Sequence, residues 1–299
     1  MKKILIGLGL LFVAYLVYDR LNYNFCQASI HLKKWPHIQT TAAHTPEKIE
    51  QVRNIVAQPF TFLGKGRQMY AFASQDGKYV LKLVRCSRFN GSEFFDNFPL
   101  PRYFQRMRHF CLKERQSRYD GLFISINLCE QELAEQTGTI YAHIQPTKEL
   151  NKVVTVKDRL GFSHEVDLDS VPFVIQRRAA SWKPTLESLL KEKNMKALDL
   201  RLDQLIDLIV QRAKVGIVDP DGRLLQNNNL GYVDDRAIYI DMGTFYRSYK
   251  STDRPHLESD FRQIKPIVAL LKSHDPKLAK AFTMRMQAAI QSTATLTPA

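Results

Sequence analysis

FTFLGKGRQMYAFASQDGKYVLKLV, residues 60–84, is the stretch from which the fold is read. Phe60 to Leu63, Met69 to Ala73 and Tyr79 to Val84 are rich in aromatic and aliphatic residues and read as strands. Asp76-Gly77 reads as the hairpin turn between the last two, because glycine accepts the backbone angles of a tight turn. Gly64 and Gly66 lie one residue apart between the first two strands. Bare backbone there lets N–H groups approach a polyphosphate with no side chain in the way, although glycines in a hairpin are also plain turn residues. Lys82 stands inside an apolar strand, and alternation puts it on the face opposite Leu81 and Leu83. It is therefore either an exposed lysine on a half-buried strand or a lysine held for a purpose. A held lysine needs a carboxylate partner.

Downstream, residues 86–118 fit no strand pattern and are basic and aromatic, as in Pro101-Arg102-Tyr103-Phe104-Gln105-Arg106-Met107-Arg108. A helix follows, on which Leu122, Ile126, Cys129 and Leu133 make one apolar stripe. It offers Glu130, Glu132 and Glu135 as partners for Lys82. Glu130 borders the stripe, four residues after Ile126 and three before Leu133, and is the choice. Strand-like runs return at Val153 to Val156 and Val171 to Ile175, and helical periodicity dominates from Thr185 to Lys214. A turn-rich stretch from Gly216 to Asn229 leads to a last strand, Ala237 to Ile240, and the final fifty residues are helical. The expectation is an α+β chain. Its strand-rich part spans 59–178, with a basic insertion at 86–118, and its helical part spans 179–299.

Upstream, Thr45-Pro46-Glu47 opens a short helix with a threonine cap and proline at the first helical position. Residues 19 to about 45 read as a linker, so 26–58 is expected to be linker and short helix. Lys2 and Lys3 precede an apolar run from Ile4 to Tyr18, which Asp19-Arg20 closes. That run is shorter than the roughly 20 residues that cross a bilayer. Leu21, Tyr23 and Phe25 extend it, so residues 1–25 are expected to be an uncleaved, single-pass membrane anchor. A cleaved signal peptide and a buried core helix are the competing readings. Basic residues on both sides of the run leave its orientation open.

Of the 299 residues, 44% are hydrophobic and 24% charged, which excludes a disordered chain. The net charge of +13 favours an anionic partner: a nucleotide, a phosphorylated substrate, acidic lipid or nucleic acid. Cys26, Cys86, Cys111 and Cys129 show no C-x-x-C pair and no metal-ligand spacing with histidine. They read as buried or free thiols, with disulfide pairing left open. The stretch from Arg102 to Arg118, with Tyr103, Phe104 and Phe110 interleaved, has the makings of a nucleic-acid or anionic-lipid surface. It reads first as a solvated basic helix face with its aromatics in the core, so nucleic acid is not the expected partner.

The most specific signal is Gly216-Ile217-Val218-Asp219-Pro220-Asp221, then Asn227-Asn228-Asn229, then Ile238-Tyr239-Ile240-Asp241-Met242-Gly243. An acid at the end of an apolar strand is placed to bind a metal, and an asparagine thirteen residues earlier can supply a second oxygen ligand to magnesium. Turn chemistry alone also accounts for Asp-Pro-Asp-Gly. Taken in order, these features resemble the protein-kinase-like superfamily, as a divergent bacterial-type kinase or a pseudokinase.

In that resemblance Gly64 and Gly66 match the first two loop glycines, Lys82 the strand lysine, and Glu130 the helix acid. Val174-Ile175-Gln176-Arg177 stands where the adenine hinge would be, Asp219-Pro220-Asp221 over H-R-D, Asn228 at the metal-binding asparagine and Asp241-Met242-Gly243 at D-F-G. The resemblance covers roughly residues 60 to 245 and implies a two-lobed fold with a reduced helical lobe. It implies ATP and magnesium as cofactors, with Lys82 on the phosphates and Gln176 beside adenine. Asp241 and Asn228 would hold the metal, and Asp221 would act as base, with Asp219 as fallback. Departures accompany the match. Met69 replaces the third glycine, an aspartate replaces the histidine of H-R-D, and Asp221 precedes Asn228 by seven residues rather than five. No A-P-E follows, and 56 residues remain after Gly243. The resemblance thus implies a kinase-like phosphotransferase with an unidentified acceptor or, alternatively, an inactive scaffold that holds a protein partner.

Overall fold

The computed structural model describes residues 13–36, 44–91, 96, 98–220, 222, 224–225, 229–234 and 236–294. The chain divides into two compact units: Met1–Asp120 with Tyr141–Gln176, and Gly121–Ile140 with Arg177–Ala299.

The first unit is built on a seven-stranded sheet, with β1 (Phe60–Lys65), β2 (Met69–Ser74), β3 (Tyr79–Val84), β4 (Thr139–His143), β5 (Val153–Lys157), β6 (Ser163–Asp167) and β7 (Phe173–Arg177). Its order is β4-β7-β3-β2-β1-β5-β6. Strands β1 to β3 form an antiparallel meander, β5 joins β1 in parallel and β6 closes the far edge as a hairpin. The sheet is therefore mixed, and β3 lies in its interior. There strand alternation fails: Leu81, Lys82 and Leu83 are all buried, because the centre of the sheet is covered on both faces. Helix α1 (Pro46–Ile55) starts where its cap predicts, with the Thr45 hydroxyl accepting from the Lys48 amide.

The N-terminal expectation is corrected. Among the described residues no helix is long and apolar enough to cross a membrane, so the transmembrane helix and the single-pass membrane location do not stand. The fold class is α+β, with no membrane-spanning helix among the described residues. Residues 4–12 of the apolar run lie outside the described residues; 13–21 are helical. The segment from Leu21 to Ile30 is fastened to the sheet and is not a linker. Asn22 Nδ2 donates to Asp158 Oδ2 at 2.9 Å, Arg159 Nη1 to the Leu21 carbonyl at 3.0 Å, and Tyr70 OH to the Asn24 carbonyl at 2.8 Å. Phe25 is buried edge-on to Tyr70, Phe72 and His164, and Ile30 is buried too.

Asp158 organises this clamp, also accepting from the amides of Leu160 and Phe162 and lying 2.8 Å from His164 Nε2. Burial pushes its carboxyl up, but His164 and the backbone amides outweigh burial and hold it below the usual range. A depressed carboxyl contributes stability above its unfolded value, about pH 4, and loses it as pH falls through the lower folded value. Stability should accordingly drop on acidification below about pH 4. Asp158→Asn should cost about 2 kcal/mol at neutral pH and flatten that acid limb in urea unfolding. An unchanged limb would remove Asp158 from this role.

Helix α2 (Arg102–Gln131) starts right after Pro101, whose carbonyl accepts from the Phe104 and Gln105 amides. It begins in the first unit and ends in the second. Thus residues 102–118 of the basic stretch and the apolar positions Leu122, Ile126 and Cys129 lie on one thirty-residue helix rather than on an insertion followed by a helix. Leu122, Ile126, Cys129 and Leu133 are all buried, whereas Tyr103, Phe104 and Phe110 are exposed, Tyr103 by 83%. The expectation of those aromatics in the core is corrected.

In the second unit the helical block splits into α3 (Trp182–Lys191) and α4 (Met195–Lys214). Lys193 takes a positive φ of 56°, and Asn194 caps α4 by accepting from the Ala197 amide. β8 (Ala180–Ser181), β10 (Leu230–Val233) and β11 (Arg236–Tyr239) form a small sheet, and β9 (Ile217–Val218) pairs with β12 (Tyr246–Arg247). Gly231 is required in β10, since a Cβ there would collide with the Ala180 carbonyl. Helices α5 (Arg254–Arg262), α6 (Lys265–His274) and α7 (Pro276–Ala294) complete the unit.

Candidate functional site

In the first unit, Gly64 and Gly66 lie where β1 turns into β2. The Gly66 amide donates to the Met69 carbonyl at 2.8 Å, closing the turn. A bulge between Phe62 and Gly64 shifts the register and leaves Leu63 exposed. Nothing lies within 4 Å of where a Cβ on Gly64 would point, so the strand backbone is bare and open at that position. Arginines fix the turn from behind: Arg85 Nη1 donates to the carbonyls of Gly66 and Arg67, and Arg88 Nη1 to that of Arg67, at 3.1–3.2 Å.

Lys82 sits opposite Ala71 of β2 and is 8% exposed. A lysine is seldom buried so far unless its charge is matched, so this position is costly to maintain. Gln176 is buried at the end of β7, directly after buried Val174 and Ile175.

In the second unit, the chain leaves α4 through Gly216, whose φ of 79° suits the glycine just past a helix end, and β9 carries it to Asp219. Asp219 is engaged on both oxygens. Oδ1 accepts from Thr244 Oγ1 at 2.8 Å, and Oδ2 lies 3.9 Å from Arg212 Nη1. Arg212 is 2% exposed, pairs with Asp260 at 2.6 Å and lies against the rings of Tyr239 and Phe245. Burial opposes its charge, but Tyr239, Asp260 and Asp219 more than offset that and keep it protonated. The contact with Thr244 ties the end of β9 to the segment just after Asp241-Met242-Gly243.

That second segment is anchored by Ser125 of α2. Its hydroxyl donates to the Met242 carbonyl and accepts from the Phe245 amide at 2.8 Å. Met242 and Gly243 are buried while Asp241 is exposed. The β10–β11 hairpin aligns the end of the asparagine run with this acid: the Ile240 amide donates to the Asn229 carbonyl at 2.7 Å. Asn229 and Asp241 thereby flank one strand end, and Asn227 and Asn228 lie outside the described residues, as does Asp221. An exposed carboxylate and an asparagine at one strand end fit a magnesium site by donor type, both being oxygen ligands. Among the described residues no cluster of three or more histidines, cysteines and acids forms a ready-made metal site.

The three candidate glutamates on α2 and just after it separate. Glu132 pairs with Arg247 and Glu135 with Arg236, both inside the second unit, while Glu130 is half-buried on the last turn of α2. No protein-family model matches the chain, and no curated protein matches it.

Sequence reasoning missed Ser125, Arg212, Thr244 and Asp260. Two of these carried a signal. Arg212 falls seven residues after Leu205 and three after Ile209, on the apolar stripe of its helix, and Ser125 falls three after Leu122 and four before Cys129. A polar residue on a buried stripe is a residue with a partner.

Proposed function

We propose that the protein is a kinase-like phosphotransferase that uses magnesium-ATP. The observation that carries this reading is Lys82: a lysine 8% exposed on the third strand of a meander whose first turn has bare glycine backbone. A solvent-facing lysine would have made the resemblance a matter of turns and spacing. Support also comes from the acids of the second unit, where Asp219 and the Asp241-Met242-Gly243 segment are cross-tied through Thr244.

Bound magnesium-ATP would supply the transferable phosphoryl group and neutralise charge as it moves. Lys82 would hold the phosphates, Gly64 and Gly66 would leave room for them, and Gln176 would meet the base. Glu130 would orient the lysine. Asp241 and Asn228 would hold the metal, and Asp221 would take the proton of the acceptor hydroxyl. Asp219, the fallback base, has both oxygens engaged and suits a positioning role better.

That engagement favours one second reading, a nucleotide-binding pseudokinase that acts by holding a partner. Magnesium-ATP should raise the melting temperature of the full chain, by the equivalent of about 2.7 kcal/mol at a hundred times its Kd. The absence of any shift at millimolar magnesium-ATP would defeat both readings. A shift without transfer or hydrolysis would select the pseudokinase.

A further inference from the structure

A cavity lies wholly in the first unit, and Lys82 is not among the residues that line it. It has a volume of about 820 Å³, and its walls are residues 33–36, Phe89, Asn90 and the stretch of α2 from His109 to Asp120. We propose that it binds a phosphorylated aromatic metabolite, of the size and chemistry of a nucleoside monophosphate. This goes beyond the phosphotransfer reading and does not rest on it.

The lining charge is one-sided. Lys33, Lys34, His109, Lys113 and Arg115 line the cavity, and among the described residues lining it Asp120 is the only carboxylate. Arg115 is already paired with Asp96 at 2.6 Å, so the attraction for an added anion is assigned to Lys34 and Lys113. Lys34 and Lys113 are both exposed, one on each wall, and ammonium groups converging on one space bind phosphate as point charges.

The cavity is also aromatic and held in shape. Trp35, Phe89 and Tyr119 line it, with Phe89 edge-on to Tyr119 at 5.4 Å. Tyr119 OH donates to the Lys34 carbonyl at 2.6 Å, which joins the two walls. Asn90 bonds the same segment twice, accepting from the Lys33 amide at 3.0 Å and donating to the His31 carbonyl at 2.7 Å. Ligand sites span about 300–1,000 Å³, combine apolar walls with a few convergent polar groups, and exist before the ligand arrives. This cavity meets each condition. Its excess of cationic side chains selects an anion, and its half-buried tryptophan offers a ring surface to a planar base.

The protein reports on its own cavity, because its two tryptophans are Trp35 and Trp182. In a full-length Trp182→Phe protein all tryptophan emission comes from Trp35. Without metal, adenosine monophosphate should change that emission saturably, inorganic phosphate should compete, and adenosine should bind at least about tenfold more weakly. Lys34→Glu/Lys113→Glu should weaken the response at least about tenfold while the melting temperature holds, because both side chains are exposed. Lys82→Met should leave it intact, which separates this site from the phosphotransfer reading. No emission change at millimolar adenosine monophosphate overturns the proposal, as does a response that survives the double charge reversal. Tighter binding of a single-stranded oligonucleotide than of the monophosphate would overturn it in favour of a nucleic-acid surface.

Discussion

Replacing Arg212 by leucine should lower unfolding stability by about 3–5 kcal/mol, the range for breaking a buried ion pair from one side. The loss comes less from the missing attraction than from what stays behind. Asp260 is buried beside Arg212, and Asp219 has one oxygen turned towards it. Without the guanidinium these carboxylates face a low-dielectric interior with no countercharge. Leucine nearly fills the volume, so little of the effect is cavity formation. Arg212→Leu/Asp260→Leu is the decisive control, because replacing both partners by apolar residues is often close to neutral. Urea unfolding of the three proteins distinguishes the cases. A single-mutant cost below about 1 kcal/mol would mean that the pair does not hold this part of the chain. Arg212→Lys should rescue poorly, since an ammonium cannot span both acids while lying flat against two rings.

Much of the chain was legible because its signals are local. The meander of β1 to β3 follows from aromatic-rich runs punctuated by Gly66 and Asp76-Gly77, and α4 from the spacing of Leu202, Leu205, Ile206 and Ile209. Features that depend on distant partners were not. Strand alternation assumes one wet face, so it could not tell that β3 is covered on both and that Lys82 is inside. The apolar run at the N-terminus has the composition of an anchor, yet its continuation from Tyr18 is fixed by Asp158, about 140 residues away. No window on the N-terminal sequence contains that acid. The length of α2 was obscured by its charge: arginines favour helix as much as leucine does, but their polarity hides the periodicity. The exposed Tyr103, Phe104 and Phe110 reverse the usual expectation for aromatics. Of the candidate site, the sequence pointed to the residues with motif spacing and not to those that tie the loops together. Ser125, Thr244 and Asp260 act through contacts 25 to 120 residues away.

Nucleotide binding should depend on Lys82 and Asp241 far more than on Asp221. Lys82→Met preserves the apolar stem and approximate volume of a buried side chain, so loss of ligand affinity in that variant is not loss of the fold. Asp241 is exposed, and Asp241→Ala should leave the unliganded melting temperature unchanged. In a phosphotransferase the strand lysine and the metal-binding acid act on the bound nucleotide before reaction, whereas the loop acid acts on the acceptor during transfer. Each charge-assisted contact is worth about 1.5–3 kcal/mol, so either of the first two variants should bind magnesium-ATP about 10–150-fold more weakly. The stabilisation expected of the unaltered protein, about 2.7 kcal/mol at a hundred times its Kd, should then fall to between about 1.4 and about 0.3 kcal/mol at the same ligand concentration. Asp221→Asn should keep the whole shift and lose only turnover. If all three lose binding equally, the Asp219-Pro220-Asp221 turn is structural and the base must lie elsewhere. If Lys82→Met keeps the shift intact, Lys82 is buried for packing alone, and the observation on which phosphotransfer rests is gone.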